Sequence, residues 1–224
     1  MPTSDVRLVV FDMAGTTVED RGQVPAAFNA ALAAHGLSVD DDQLRAVRGA
    51  SKRDAIRSLL ADGPDREERA NAVYATFRQE LAKRFSQGVS PIAGAANTFA
   101  SLRERGIGVA LNTGFDRDTT SLLIETLGWR EGVVDTIVCG DDVRQGRPAP
   151  YMIFRCMENT GVVKIEQVVN VGDTALDLEA GANACVGLNV AVLSGAHDRE
   201  RLEPLRPDYL IDSVADLPAL LLRE

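Results

Sequence analysis

The sequence predicts a doubly wound α/β fold, a parallel sheet covered by helices on both faces, with a small all-helical unit inserted after the first strand. Three observations carry this expectation. Short β-branched runs end abruptly in polar or glycine residues, and amphipathic stretches with helical spacing separate most of them. One long region, from about Pro25 to Phe85, holds helical pattern alone. Runs that are apolar throughout suit strands buried on both faces, and alternation with helices implies parallel pairing.

The elements follow in order. The first strand run is Arg7–Phe11. Four helical stretches come next, Pro25–His35, Asp41–Val47, Lys52–Leu60 and Arg66–Phe85, punctuated by Gly36 and by Gly63-Pro64. Gly22, Gly88 and Pro91 flank this insertion in segments suited to act as hinges. The alternation then resumes with helix Ala93–Arg105, strand Ile107–Asn112, helix Thr119–Leu127 and strand Thr136–Cys139. Helix Tyr151–Thr160, strand Val168–Val171, helix Ala175–Asn183, strands Gly187–Leu193 and Tyr209–Ile211, and helix Val214–Leu222 complete the chain. The expected division is a core of residues 1–20 and 90–224 and a helical unit of residues 21–89. Internal repeats and low-complexity tracts are absent from the sequence.

Composition narrows the function. The chain has 224 residues, 45% of them hydrophobic and 25% charged, an ordinary globular balance. No stretch approaches the ~20 uncharged apolar residues of a membrane span. The apolar run before Asp12 is too short for a secretory signal, so a cytoplasmic location is expected. A net charge of −9 argues against a nucleic-acid partner, because a duplex binder needs a basic stripe. Cys139, Cys156 and Cys185 are odd in number and widely spaced, which suggests reduced, mostly buried thiols. Trp129 and the methionines read as core, and His35 and His197 as structural or exposed residues.

In an open parallel sheet, chemistry gathers at the carboxyl ends of the strands. The strand exits here are Asp12-Met-Ala-Gly-Thr-Thr, Asn112-Thr-Gly-Phe, Gly140-Asp-Asp and Gly172-Asp-Thr-Ala-Leu-Asp. A carboxylate at a buried strand end is costly unless a cation compensates it. Asp12 and Asp173, with Asp177 one helical turn later, make a candidate magnesium site of oxygen ligands. Thr113, the amides around Gly114, and Arg147 in Gly-Arg-Pro-Ala-Pro are suited to hold a phosphoryl group.

Asp12-Met-Ala-Gly-Thr, Asn112-Thr-Gly, Gly146-Arg-Pro-Ala-Pro and Gly172-Asp-Thr…Asp177 resemble, in order, the four motifs of the haloacid dehalogenase superfamily. The helical insertion resembles that superfamily's small cap. The resemblance implies that Asp12 is the nucleophile and accepts phosphorus as an aspartyl-phosphate. It implies that Thr113 binds the phosphoryl group, that Arg147 balances its charge, and that Asp12 and Asp173 ligate magnesium with Asp177 supporting that shell.

Ala14 departs from the pattern, since most phosphatases of the superfamily carry a second aspartate there to protonate the leaving alkoxide. That help is typically worth ~10²–10⁴ in rate. The leaving group therefore needs no proton from position 14, or phosphatase activity has been lost; the Ala14 backbone carbonyl remains a candidate metal ligand. Ala-Gly-Thr after the nucleophile, and arginine in Gly-Arg-Pro-Ala-Pro, are similar to the phosphonoacetaldehyde hydrolase (phosphonatase) branch. That branch cleaves a carbon–phosphorus bond with a cap lysine that forms an imine with the substrate. Lys52, in Arg48-Gly-Ala-Ser-Lys52, falls where that lysine would be, and it is one of only three lysines. Arginine cannot replace lysine in imine chemistry.

Arg48, Ala55 and Phe115 stand where the branch typically has methionine, histidine and tyrosine, so the aldehyde-handling surroundings differ. Lys52 thus has three readings: imine formation, anion binding, or a solvated position at the start of a helix. The expected reaction is hydrolysis of a small phosphonate. The alternatives are a phosphomonoesterase acting on activated leaving groups and a catalytically quiet phosphometabolite binder. The resemblance also makes a homodimer through the cap conceivable.

Overall fold

The computed structural model describes residues 5–129 and 132–222, so Met1–Ser4 lies outside them. Six strands form one sheet in the order β3-β2-β1-β4-β5-β6, and every pairing is parallel. They are β1 Leu8–Asp12, β2 Gly108–Thr113, β3 Thr136–Cys139, β4 Val168–Gly172, β5 Leu188–Val192 and β6 Tyr209–Ile211. All six coincide with the predicted runs to within two residues at either end.

Side chains alternate across β1 with the period of two that a strand imposes. Val9 and Phe11 join one core with Val109, Leu111, Val169 and Val171. Leu8 and Val10 join a second core on the other face with Ala110, Val138 and Val168. Helices cover both. Helix α5 (Ala95–Glu104) packs Phe99 on Phe11 at 5.3 Å between ring centroids, while α7 (Tyr151–Thr160) and α8 (Ala175–Ala184) cover the second face. Helix α6 is Arg117–Leu127, α9 is Arg199–Leu202 and α10 is Leu217–Leu221. Fully burying each such aliphatic side chain contributes roughly 1.5–3 kcal/mol, so both faces drive the layering.

Between β1 and α5 lie four consecutive helices, α1 Gln23–Ala34, α2 Asp41–Ala46, α3 Lys52–Leu59 and α4 Arg66–Phe85. Helices α1 and α4 pack along each other through Phe28 and Phe77, whose ring centroids are 4.5 Å apart. Asp40 caps α2 with a reciprocal bond to Gln43, a local reason for its start.

Two details differ from the sequence expectations. Helix α9 was not anticipated; it is a four-residue turn begun by Asp198, whose carboxylate accepts from the Arg201 amide. Cys139 and Cys156 are buried as expected, but Cys185 is exposed. It occupies the left-handed position that closes α8, with φ 57°, where the chain turns outward. Among the described residues, no helix is long and apolar enough to cross a membrane.

The chain runs outward from β1 through β2 to β3, then returns to the other side of β1 and continues through β4 to β6. The direction of winding therefore reverses between β1 and β4, which opens a crevice at their carboxyl ends. Asp12 ends β1 and Asp173 directly follows β4, so both carboxylates stand at that crevice.

Candidate active site

Asp12, Asp173 and Asp177 are all buried, and one carboxylate oxygen from each lies within 4.8 Å of the others. The turn after β1 supplies the first member and folds back on itself, with the Gly15 amide donating to Val18 at 2.7 Å. Ala14 sits half-buried in this turn, paired with Val18 in a single parallel bridge. Gly15 has φ 100°, and a β-carbon there would lie 2.5 Å from an Asp173 oxygen. Only glycine allows that approach.

Asp173 accepts a hydrogen bond from Thr16 Oγ1 at 2.9 Å and one from the Ala196 amide at 2.6 Å. Asp177 is fixed by Thr174, whose hydroxyl and amide both donate to it as Thr174 caps α8. Its other oxygen meets Arg147 Nη1 at 2.9 Å, and the same Nη1 reaches Asp12 Oδ1 at 2.7 Å.

The charges do not balance. Burial and the neighbouring charges of Asp12 and Asp177 push Asp173 up to about 8. Burial likewise lifts Asp177 to about 6, although Arg147 pulls it downward. Burial works against the Arg147 charge, but Asp177 and Asp12 outweigh it and hold its pKa above the ordinary arginine value. A hard divalent cation with oxygen ligands would relieve this excess, and the donor set of three buried carboxylates fits one.

The phosphate-binding candidates stand beside the acids. Thr113 is buried at the end of β2, with Oγ1 accepting from the Phe115 amide at 3.2 Å. Gly114 is pressed against the helical segment, and a β-carbon there would lie 2.2 Å from the Ala50 carbonyl oxygen. The Gly114 carbonyl accepts from the Lys52 amide at 3.0 Å, and the Gly49 carbonyl accepts from Arg147 Nη1 at 3.2 Å. The stretch from Gly49 to Lys52 thus enters the crevice between the β2 and β3 exits.

Lys52 is buried at the start of α3 and does not extend into solvent. Its Nζ donates to the Ala50 carbonyl at 3.2 Å and stands 5.0 Å from the Phe115 ring centroid. Burial lowers it to about 8, against the pull of the Asp12 charge. A larger share of the free amine is therefore present near neutrality than for an ordinary lysine.

Sequence reasoning brought these residues together and missed others. Arg48 pairs with Asp20, whose other oxygen accepts from the Gly22 and Val24 amides where the helical segment begins. His197 is structural, the first of the two roles the sequence allows it, and what the sequence does not show is that it is buried as a tether. Its Nδ1 accepts from the Ala175 amide at 3.0 Å, and Nε2 donates to the Arg45 carbonyl at 3.3 Å. Burial lowers its pKa, which favours the neutral ring that this bonding needs. Neither contact had a local signal, because each joins segments far apart in sequence.

A family model described as haloacid dehalogenase-like hydrolase matches residues 9–192, from β1 to β5. The chain belongs to that family. A phosphonoacetaldehyde hydrolase of Bordetella pertussis is 33% identical, covering 99% of this chain and 94% of its own. Among solved structures, a phosphonoacetaldehyde hydrolase like protein from Oleispira antarctica superposes with a TM-score of 0.85 at 24% identity. The match covers 97% of this chain and 92% of that one. A predicted phosphoglycolate phosphatase from Haemophilus somnus gives a TM-score of 0.80 at 17% identity, covering 96% and 98%. These two likenesses are of fold. This haloacid dehalogenase-like hydrolase keeps its acid cluster at the ends of β1 and β4, where the first and fourth sequence motifs lie.

Proposed function

We propose that this hydrolase cleaves the carbon–phosphorus bond of a small carbonyl phosphonate, with magnesium bound by Asp12, Asp173 and the Ala14 carbonyl and supported by Asp177. The observation that carries the reading is the Lys52 amine, buried at the start of α3 against the β2 exit, near enough to feel the Asp12 charge and lowered to about 8. The identity to proteins named phosphonoacetaldehyde hydrolase supports it.

The free Lys52 amine adds to the substrate carbonyl and, with one proton taken up from solvent, releases water to leave a protonated imine. Asp12 attacks phosphorus, the carbon–phosphorus bond breaks, and its electron pair moves into the imine to give an enamine. Carbon therefore leaves without a proton from position 14, which is why Ala14 is tolerated. Protonation at carbon and hydrolysis of the imine return Lys52, and water cleaves the aspartyl-phosphate to inorganic phosphate. Arg147 offsets the charge that builds between Asp12 and the phosphoryl oxygens, and Thr113 with the Gly114 amide orients them. When bound, magnesium supplies further charge screening. The helical segment of residues 21–89 acts as the cap that excludes water during the transfer.

A phosphate-release assay over carbonyl phosphonates and phosphate esters, with magnesium or a chelator, tests the reading. Carbonyl phosphonates should be turned over only with magnesium. Lys52→Arg should lower that turnover on the order of 10³-fold or more, as loss of a covalent catalyst does. Retained turnover in Lys52→Arg would assign the residue to anion binding, and ester hydrolysis alone would replace the carbon–phosphorus reading with a phosphomonoesterase.

A further inference from the structure

Asn112 has no part in the reaction described above, yet it is buried beside it at the last register position of the β1–β2 ladder, directly opposite Asp12. Register partners on adjacent parallel strands project to the same face, so Asn112 and Asp12 approach Arg147 together. Arg147 Nη2 donates to the Asn112 carbonyl at 3.0 Å and also to Asn112 Oδ1. Arg147 Nη1 then meets Asp12, Asp177 and the Gly49 carbonyl. One nitrogen is thus committed to Asn112 and the other to the carboxylates and the helical segment.

We propose that Asn112 is the positioning residue of Arg147: it clamps one end of the guanidinium so that the other end is held in register with Asp12. The side-chain torsions leave a planar guanidinium free to swing as a unit, and an anchor on one terminal nitrogen fixes the direction of the other. An amide suits this place because it accepts the bond without adding a fourth carboxylate to three that already share one guanidinium's charge. The contact of the same Nη1 with Gly49 means that the clamp also fixes where the stretch leading to Lys52 docks. The inference rests on the phosphoryl-transfer reading of Asp12 and Arg147 and is independent of imine formation at Lys52.

Two measurements test it. The first is side-chain NMR of the guanidinium protons, with the Arg147 signals assigned by comparison with Arg147→Lys. The wild-type protein should give separate, slowly rotating Nη2 protons for Arg147, and Asn112→Ala should merge them. Signals that stay separate in Asn112→Ala would overturn the proposal. This readout needs no turnover, so it distinguishes failure of the clamp from failure of the functional reading.

The second is a double-mutant cycle on kcat for phosphate release with p-nitrophenyl phosphate or a carbonyl phosphonate, whichever the wild type turns over faster. Asn112→Ala should lower kcat roughly 10- to 100-fold, the range a lost hydrogen bond to a charged group gives, with KM within about threefold. In an Arg147→Lys background, the same change should cost less than about threefold, because the clamp has nothing left to hold. Losses that multiply in the double variant, or a rise in KM alone, would overturn it. Asn112→Leu, which keeps volume and removes the side-chain acceptor, should reproduce the kcat loss and so separates positioning from a cavity left in the fold.

Discussion

On the sheet side, the Asp12 and Asp177 carboxylates converge on one guanidinium, and Asp173 beside them is held by the Thr16 hydroxyl and the Ala196 amide. On the helical side stands a single ammonium group that makes no ion pair among the described residues; its nearest neighbours are the Ala50 carbonyl and the Phe115 ring. Burial acts on both walls but in opposite directions, lifting the acids towards protonation and pushing the lysine towards the free amine. On the proposed reading, the acid wall receives a cation and a phosphoryl group, whereas the lysine wall presents an uncharged nitrogen. In our account, the first wall sets the reaction class and the second selects the substrate.

The largest way to break the comparison is at Asp12, the group both walls face. Asp12→Asn should lower phosphate release on the order of 10⁴-fold or more, because an amide cannot take up phosphorus. It also removes a like charge beside Asp173 and the carboxylate that steadies the Lys52 charge. The acid wall should therefore ionise more easily, and the lysine wall should lose its proton more easily. Titration of both groups by NMR in this variant checks those directions.

A medium effect concerns stability against pH in chelator-treated protein. Asp173 has a folded pKa raised to about 8 and Asp177 one raised to about 6, so the folded chain binds more protons than the unfolded chain above pH 4. That contribution is fully present at low pH and is lost as pH rises to about 8. Lys52, lowered to about 8, acts in the opposite sense, with its contribution returning as pH rises from about 8 towards 10.5. These three groups together predict a shallow stability minimum near pH 8, to be read from urea midpoints across pH. Magnesium should flatten the acid-wall part of the curve, since a bound cation stabilises the folded form with its carboxylates ionised.

The smallest expected effect lies at the edge of the crevice. Tyr74 of α4 donates to Asp116, which also pairs with Arg78 at 2.9 Å and caps α6 through the Thr119 amide at 2.8 Å. Tyr74→Phe removes one of these bonds and should cost about 1 kcal/mol in unfolding free energy. If this contact helps hold the lysine wall against the acid wall, KM should rise slightly while kcat is kept.

Much of this was legible in the sequence. The six strands were readable because a run buried on both faces is apolar throughout, and the acids were readable because they interrupt such runs at their ends. Lys52 stood out because lysine is scarce here, though its burial against Phe115 follows from packing between segments more than sixty residues apart. Asn112 opens one of the motifs and Arg48 precedes Lys52, yet their contacts with Arg147 and Asp20, like those of His197, carried no signal, because they depend on which strand exits and helix ends meet. Ala14 was informative only through the resemblance, because it stands where most phosphatases of the superfamily carry a second aspartate.

The most direct test of the account is reductive trapping. The protein is incubated with magnesium and a carbonyl phosphonate, treated with borohydride, digested, and examined by mass spectrometry. The account predicts substrate-derived carbon fixed as a secondary amine on the peptide containing Lys52, absent from Lys52→Arg. Phosphate release from the same carbonyl phosphonate with Lys52 unmodified would contradict it.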